Sequence, residues 1–179
     1  MWLALSKQYW NLSIFREKPE NTPYSHFVLG VAVIVYFLLI VFQWIATDAR
    51  QQLPFIMACL IAGSLIVSYA LYTFVLLLLF GFKARFVQTL TCLFACHSIV
   101  HMFAMPLLLT LPILMGLASE SLMSSFIAII YLALTLMMAV WQLVLSVFIY
   151  KQALTVPYLS AILAGIGLLA SNILMVSLW

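Results

Sequence analysis

The chain has 179 residues, of which 68% are hydrophobic and 6% are charged, and seven Lys and Arg stand against four Asp and Glu. A typical soluble domain is roughly 45–50% apolar and about 25% charged, so this composition excludes a water-soluble globule and predicts an integral membrane protein. All four acidic residues lie in polar segments outside the apolar runs, which argues against paired-carboxylate catalysis within those runs. The net charge of +3 does not indicate nucleic-acid binding, because the basic residues are scattered at the boundaries of apolar segments.

Residues 1–25 form the first predicted element, a cytoplasmic N-terminal segment. A helix here would carry an apolar face of Trp2, Leu5, Tyr9 and Leu12 and a polar face of Lys7, Asn11 and Lys18. This pattern predicts a short amphipathic helix in the plane of the membrane interface, with a loosely ordered leader as the alternative. Pro19 and Pro23 are then expected to end this helix and to lead into the first span.

Five apolar runs follow, at residues 27–47, 54–82, 86–117, 126–150 and 156–179. Each run is long enough to cross a hydrocarbon core of about 30 Å as a helix, which requires about 20 residues. Because backbone polar groups in lipid must be satisfied within the element, the predicted fold is all-α. It is a polytopic integral membrane protein in which residues 26–179 form a bundle of five transmembrane helices.

Two of the connections between these spans are short. Gly81 is predicted to cap the second span, and Lys83 and Arg85 then stop it at the membrane interface. A second turn is predicted around residues 151–153, with Pro157 in the first turn of the last span. Short connections make the joined helices antiparallel neighbours, so the second and third spans, and likewise the fourth and fifth, are expected to pack together.

The basic residues are distributed unequally between the two sides of the membrane. One side would carry Lys7, Arg16, Lys18, Lys83, Arg85 and Lys151. The opposite side would carry only Arg50, accompanied by Asp48, and later Glu120. Since Lys and Arg accumulate in cytoplasmic loops, the N-terminus is predicted to be cytoplasmic and Trp179 to face outward.

Two histidines in the third span are the most unusual polar groups within the apolar runs. His97 and His101 are four residues apart and share a helix face, and Cys92 and Cys96 share another face roughly 140° away. One helix therefore cannot gather all four around a single zinc ion. Both imidazoles are expected to be neutral and to face the second or fourth span, because an isolated cation at mid-membrane is penalised and a lipid-facing N–H would lack a partner.

Three interpretations of the histidine pair remain open from the sequence. Each imidazole could hydrogen-bond a Ser, Tyr or carbonyl group on a neighbouring helix, with Ser64, Ser68, Tyr69 and Tyr72 at a suitable depth. The pair could bind a metal or haem iron if another helix contributed ligands, or it could lie on a proton or substrate pathway. The first interpretation is favoured, so no metal site and no cofactor is predicted. The candidate functional residues are His97, His101, Ser64, Ser68, Gln142 and Asn172.

Small residues in the last span and a proline in the third span bear on packing. Ala161 and Gly165, and likewise Gly167 and Ser171, are four residues apart, which predicts a face of close helix approach inside the bundle. Pro106 is predicted to kink the third span beyond the histidine pair without dissolving the helix.

A loose set of motifs over residues 25–179 resembles the Yip (Ypt-interacting protein) family, and in particular its small bacterial inner-membrane members. The segment FGFKARFVQT lies at residues 80–89, Pro106 lies late in the third span, and WQL lies at residues 141–143. A short basic turn at Lys151 then leads to a last span rich in small residues. The resemblance implies a membrane-embedded organising or trafficking factor without a catalytic site.

These observations favour a non-enzymatic accessory or organising protein that acts through contacts with lipid or protein. The expected partners are the lipid bilayer and other membrane proteins or further copies of the chain, and no nucleic acid. The expected location is the inner membrane of a bacterium. The alternative is a small transporter or channel subunit that uses the region of His97 and His101. A transporter would bring the polar candidates together at a cavity, whereas an accessory bundle would satisfy them singly in a dry interior.

Overall fold

The computed structural model describes residues 2–48, 53–116 and 122–179. Six α-helices are found there: α1 (Trp2–Ser13), α2 (His26–Thr47), α3 (Phe55–Leu79), α4 (Phe86–Gly116), α5 (Leu122–Leu154) and α6 (Tyr158–Val176). Five of them, α2 to α6, are long and apolar enough to cross a membrane. The predicted all-α fold with five such helices is therefore confirmed.

The bounds of the helices differ from the predicted ones most clearly in α5. The prediction of a turn at residues 151–153 is wrong, because α5 continues through Lys151 and ends at Leu154. The chain turns instead at Thr155, whose φ is +52°, and Pro157 precedes the first residue of α6. A charge ends an apolar run but does not end a helix, whereas proline disfavours the helical conformation in the residue before it.

The connection between α3 and α4 has the predicted glycine cap. Gly81 has a φ of +80°, and the N–H of Phe82 donates to the carbonyl of Leu77 at 2.8 Å. The N–H of Gly81 itself donates to the carbonyl of Leu78. This pair of bonds closes the end of a helix around a residue in the left-handed conformation, which glycine adopts without steric cost.

Helix α4 lies at the centre of the bundle and contacts α1, α2, α3 and α5, while α6 packs against α3 and α5. Every residue from 89 to 94 on α4 is buried, which explains why this helix has no polar face. The helix is continuous through Pro106, as predicted. The other spans present large exposed apolar side chains such as Leu38, Leu71 and Leu163 on the outside of the bundle.

Both ends of the bundle can be identified from contacts. Gln88, near the start of α4, donates its side-chain amide to the carbonyl of Thr22, just before α2. Arg85 donates to the carbonyls of Gln152 and Ala153 in the last turn of α5. This end, here called the basic end, therefore holds the starts of α2, α4 and α6 and the ends of α3 and α5. The other ends of α2 to α6 lie at the opposite end.

The small-residue face of α6 lies inside the bundle, as expected. Ala161, Ala164 and Gly165 are buried. A Cβ atom added at Gly165 would lie 2.8 Å from the Cγ2 atom of Val147 on α5, and one added at Gly167 would collide with the phenol of Tyr72 on α3. The absence of side chains at these two glycines therefore allows α6 to approach both neighbours closely.

Helix α1 packs along the flank of the bundle and not across its end. The ring of Trp2 lies 5.9 Å from that of Phe27, at the start of α2, and the ring of Trp10 lies 5.5 Å from that of Phe103. Phe103 is 17 residues, or about 25 Å, along α4 from the basic end. The carbonyl of Ser13, at the tip of α1, accepts a hydrogen bond of 3.0 Å from the indole of Trp141. Helix α1 thus follows a steep path between α2 and α4.

The predicted N-terminal helix is confirmed. Its predicted apolar face is confirmed at Tyr9 and Leu12, which are buried, but not at Trp2, which is exposed. The prediction that Pro19 ends this helix is wrong. Helix α1 ends at Ser13, and Phe15 follows with a φ of +62° and a ring that packs edge-on against Phe148. The chain reverses direction at Phe15, before it reaches Pro19, and then returns toward the basic end. The position of α1 relative to a membrane interface stays a prediction.

Candidate functional site: a polar core at mid-bundle

The polar side chains predicted to be functional lie near the middle of the helices. His97 is 11 residues, or about 16 Å, from the start of α4. Tyr69 is about 15 Å from the end of α3, and Gln142 is about 18 Å from the end of α5. Since a hydrocarbon core is about 30 Å thick, these three groups would share a level close to its midplane.

A closed cycle of hydrogen bonds joins these helices around His97. The Tyr69 hydroxyl lies 2.6 Å from His97 Nδ1, and Ser146 Oγ lies 3.1 Å from His97 Nε2. Ser146 donates to the carbonyl of Gln142, and the amide of Gln142 donates to the Tyr69 hydroxyl at 3.4 Å. We call Tyr69, His97, Gln142 and Ser146 the polar core.

The direction of the cycle assigns the tautomer of His97. Because the Ser146 hydroxyl donates to Gln142, its oxygen accepts from His97, so Nε2 carries the proton. Nδ1 is then the acceptor for the Tyr69 hydroxyl. One neutral tautomer satisfies every member of the cycle. The prediction that His97 hydrogen-bonds a Ser or Tyr on the second or fourth span is confirmed on both sides.

His101 is held differently, although it lies one turn further along the same face of α4. Its backbone carbonyl accepts a bond of 3.0 Å from the side chain of Gln43 on α2, and its ring packs edge-on against Tyr36 of α2. The prediction that this imidazole faces the second or fourth span and hydrogen-bonds a neighbouring helix is wrong, because the ring of His101 packs against the first span. Its Nε2 atom is buried and has no hydrogen-bond partner among the residues that the structure describes. The same is true of Asn172 Oδ1 on α6.

Two cavities adjoin the polar core, and both are lined in part by Tyr69, Gln142, Leu169 and Asn172. The first cavity, of about 320 Å³, also has His101, Tyr36 and Gln43 in its lining and reaches Thr47, the last residue of α2. We call it the α2–α4–α6 cavity. The second, of about 230 Å³, lies between α5 and α6 and has His97 and Ser146 in its lining. The two unpaired atoms therefore belong to residues of one cavity.

The other two candidates lie outside this arrangement. Ser68 shares a hydrogen bond of 2.8 Å with Ser171 and joins α3 to α6. Ser64 donates to the carbonyl of Ile61 and accepts from the indole of Trp179. Both therefore serve helix packing and not the polar core.

Two residues of the site were not singled out from the sequence. Ser146 follows Gln142 by one helical turn, and this pair of polar residues in an apolar span was a usable signal. Gln43 is a lone amide in an apolar helix, and such a residue has a high cost of burial unless it is paired. Either pattern predicts an interhelical hydrogen bond, but neither identifies the partner.

The cysteines lie apart from the polar core. The Thr22 hydroxyl lies 3.2 Å from the sulfur of Cys92, and Cys96 is buried on the same side of α4. This agrees with the expectation that the cysteine and histidine pairs point in different directions. Within residues 2–48, 53–116 and 122–179, no group of three or more His, Cys, Asp or Glu side chains is placed to hold a metal ion.

Comparison with known proteins gives no match to a family model, to a curated protein or to a solved structure. The resemblance to the Yip family therefore stays a prediction that depends on the motifs at residues 80–89 and 141–143.

Proposed function

We propose that this chain binds a small, neutral, hydrogen-bonding molecule in the α2–α4–α6 cavity and conducts it as a transporter or channel subunit. The observation that carries the proposal is the pair of unpaired polar atoms, His101 Nε2 and Asn172 Oδ1, on residues that line one cavity. A buried polar group without a partner costs roughly 1–3 kcal/mol, so such groups commonly have a partner that the protein alone does not supply.

The lining of the cavity defines the chemistry of this ligand. Among the described residues that line it there are amides, phenols, an imidazole and a hydroxyl, but no charged side chain. An ion would find no countercharge there, whereas a neutral molecule could accept from or donate to His101 and donate to Asn172. The volume of about 320 Å³ is near the lower end for ligand pockets, which favours a small molecule.

The proposal is tested with proteoliposomes that face an osmotic gradient of urea, glycerol or acetamide. At least one of these solutes should enter several-fold faster than into protein-free vesicles, as measured by light scattering. His101→Leu and Asn172→Leu should each remove the increase. The control is Thr135→Val, which removes a hydroxyl that bonds only within α5, to the carbonyl of Tyr131. Entry of all three solutes at the protein-free rate would reject the proposal.

A second candidate is the accessory or organising protein favoured by the sequence. The observation that supports it is the closed hydrogen-bond cycle of the polar core, which satisfies its members without a ligand. Such a protein would act through lipid or protein contacts, without catalysing a reaction, as the Yip resemblance implies. In the flux experiment it would leave solute entry at the protein-free rate, and polar-core variants would alter only stability.

We further propose that the basic end is cytoplasmic and that the chain resides in the inner membrane of a bacterium. Lys83, Arg85 and Lys151 lie at that end. The N-terminal segment begins at the same end and, after it reverses at Phe15, returns there before α2 starts. Arg50 and Glu120, on which the count for the opposite side depends, lie outside the described residues. Since α6 runs away from the basic end, this proposal implies that Trp179 lies outside the cytoplasm.

Reporter fusions would test this orientation. Alkaline phosphatase, which is active only outside the cytoplasm, should be inactive when fused after Lys83 or Lys151 and active after Trp179. Fusions of green fluorescent protein at the same positions should give the reverse pattern. Fluorescence from the fusion at Trp179 would contradict the proposed orientation.

A further inference from the structure

A further cavity lies on the opposite face of α4 from His97, in the groove between α1 and the helices α2 and α4. Its volume is about 680 Å³, and its walls are formed mainly by apolar side chains such as Val31, Val35 and Ile99. The groove extends from Val28 to Val35 on α2, which is seven residues or about 10 Å. Because it lies on the flank of a bundle of apolar spans, it would be open to lipid.

Lys7 is the one charged residue among the described residues that line this groove. It is exposed, and it lies five residues, or about 7 Å, along α1 from Trp2, which contacts the start of α2 at the basic end. A lysine at this depth can extend its aliphatic chain along apolar surface and hold its ammonium group at headgroup level. Trp2, on the same wall and next to the start of α2, is of the residue type that is enriched at that level.

Two hydroxyl groups in the lining have no partner. Tyr9 and Ser98 both line the groove, and the hydroxyl oxygen of each is buried without a hydrogen bond among the described residues. Burial raises the pKa of the Tyr9 phenol, so this group remains a neutral O–H donor. Ser98 directly follows His97 and so lies near the midplane, too deep for the ester groups of a lipid. The groove thus combines a long apolar wall with one cation, which match the acyl chain and the anionic headgroup of a phospholipid.

We propose that this groove binds one anionic phospholipid from the leaflet at the basic end. Its headgroup would contact Lys7, and its acyl chain would run from there along α2 and α4, past Tyr9 and Ser98, toward the midplane. The attraction of a basic side chain for anionic lipid, which is worth about fivefold in affinity, selects an anionic over a zwitterionic headgroup. The proposal does not depend on the solute site, because the groove and the α2–α4–α6 cavity have no residue in common.

Native mass spectrometry of the full chain in detergent would test the proposal with equal amounts of dioleoyl phosphatidylglycerol and dioleoyl phosphatidylcholine. The wild type should retain one phosphatidylglycerol molecule, with an affinity about fivefold higher than for phosphatidylcholine. Lys7→Gln should remove this preference. Lys18→Gln is the matched control, because it removes the same charge from the same segment but from a residue outside the groove. Val31→Trp should fill the groove and displace both lipids.

Thermal unfolding of each variant would show that the protein remains folded. Three results would overturn the proposal: equal retention of the two lipids by the wild type, an equal loss of preference in Lys7→Gln and Lys18→Gln, or an unchanged phosphatidylglycerol adduct in a folded Val31→Trp variant. The second of these would mean diffuse attraction by the basic segment, and the third would place the lipid elsewhere on the bundle.

Discussion

Replacing His97 with leucine is expected to lower the free energy of unfolding by about 2–3 kcal/mol, because it breaks two interhelical hydrogen bonds at once. The Tyr69 hydroxyl would lose its acceptor, and Ser146 would lose the N–H that it accepts from. Both groups would stay in the interior of the bundle, where a polar group that has lost its partner is costly. Equilibrium unfolding in mixed micelles of dodecyl sulfate and a mild detergent would measure the change.

His101 provides the matched control for this prediction, since it lies one turn away on the same helix. His101→Leu removes a buried atom that has no partner, so the expected change in unfolding free energy is close to zero or slightly favourable. The backbone carbonyl of residue 101 would keep its bond from Gln43. A loss at His101 as large as that at His97 would contradict the assignment of the two roles.

The two histidines are thus expected to separate stability from function. Variants of His97 should unfold more easily, whereas His101→Leu should fold normally and lose solute entry. A residue that lowers stability yet is retained by a protein is typical of a functional site. Replacing both histidines with glutamine should preserve the fold and weaken helix packing by about 1–2 kcal/mol, because glutamine can still donate and accept.

Truncation of Leu12 to alanine is expected to release α1 from the flank of the bundle. Leu12 is 0% exposed, and a Leu→Ala change at such a site costs roughly 2–5 kcal/mol through lost burial and the cavity that remains. The bond from the Trp141 indole to the adjacent carbonyl of Ser13 would weaken with it. Hydrogen–deuterium exchange should accelerate over residues 2–13 while the exchange of α4 changes little.

Leu3 is the control for this second prediction, because it is the same residue type on the same helix and is 88% exposed. Leu3→Ala should leave exchange over residues 2–13 as slow as in the wild type. Equal acceleration by both variants would mean that α1 is held by general attraction to the micelle and not by the contact at Leu12.

Much of the fold follows from the sequence, one segment at a time. The number and approximate extent of the spans depend on the transfer of each apolar run into lipid, and this quantity can be calculated without knowledge of the other runs. The cap at Gly81 and the buried face of α1 are likewise local, since they depend on one residue conformation and on helical periodicity. The end of α5 was misplaced because Lys151 limits the apolar run but leaves the helix intact.

Only the tertiary structure decided which helices meet and which polar groups pair. In α4, residues 89–94 are buried on every side, so no face of this helix marks its neighbours in the sequence. The cycle through Tyr69, His97, Gln142 and Ser146 forms only if α3, α4 and α5 bring these side chains to the same depth and turn them toward one another. The steep path of α1 depends on Trp141, 128 residues from Ser13 in the chain. The hydrophobicity of each segment determines that it enters the membrane. Helix pairing depends instead on how well the surfaces of two helices fit together, and the sequence pattern of one helix does not show the surface of its partner.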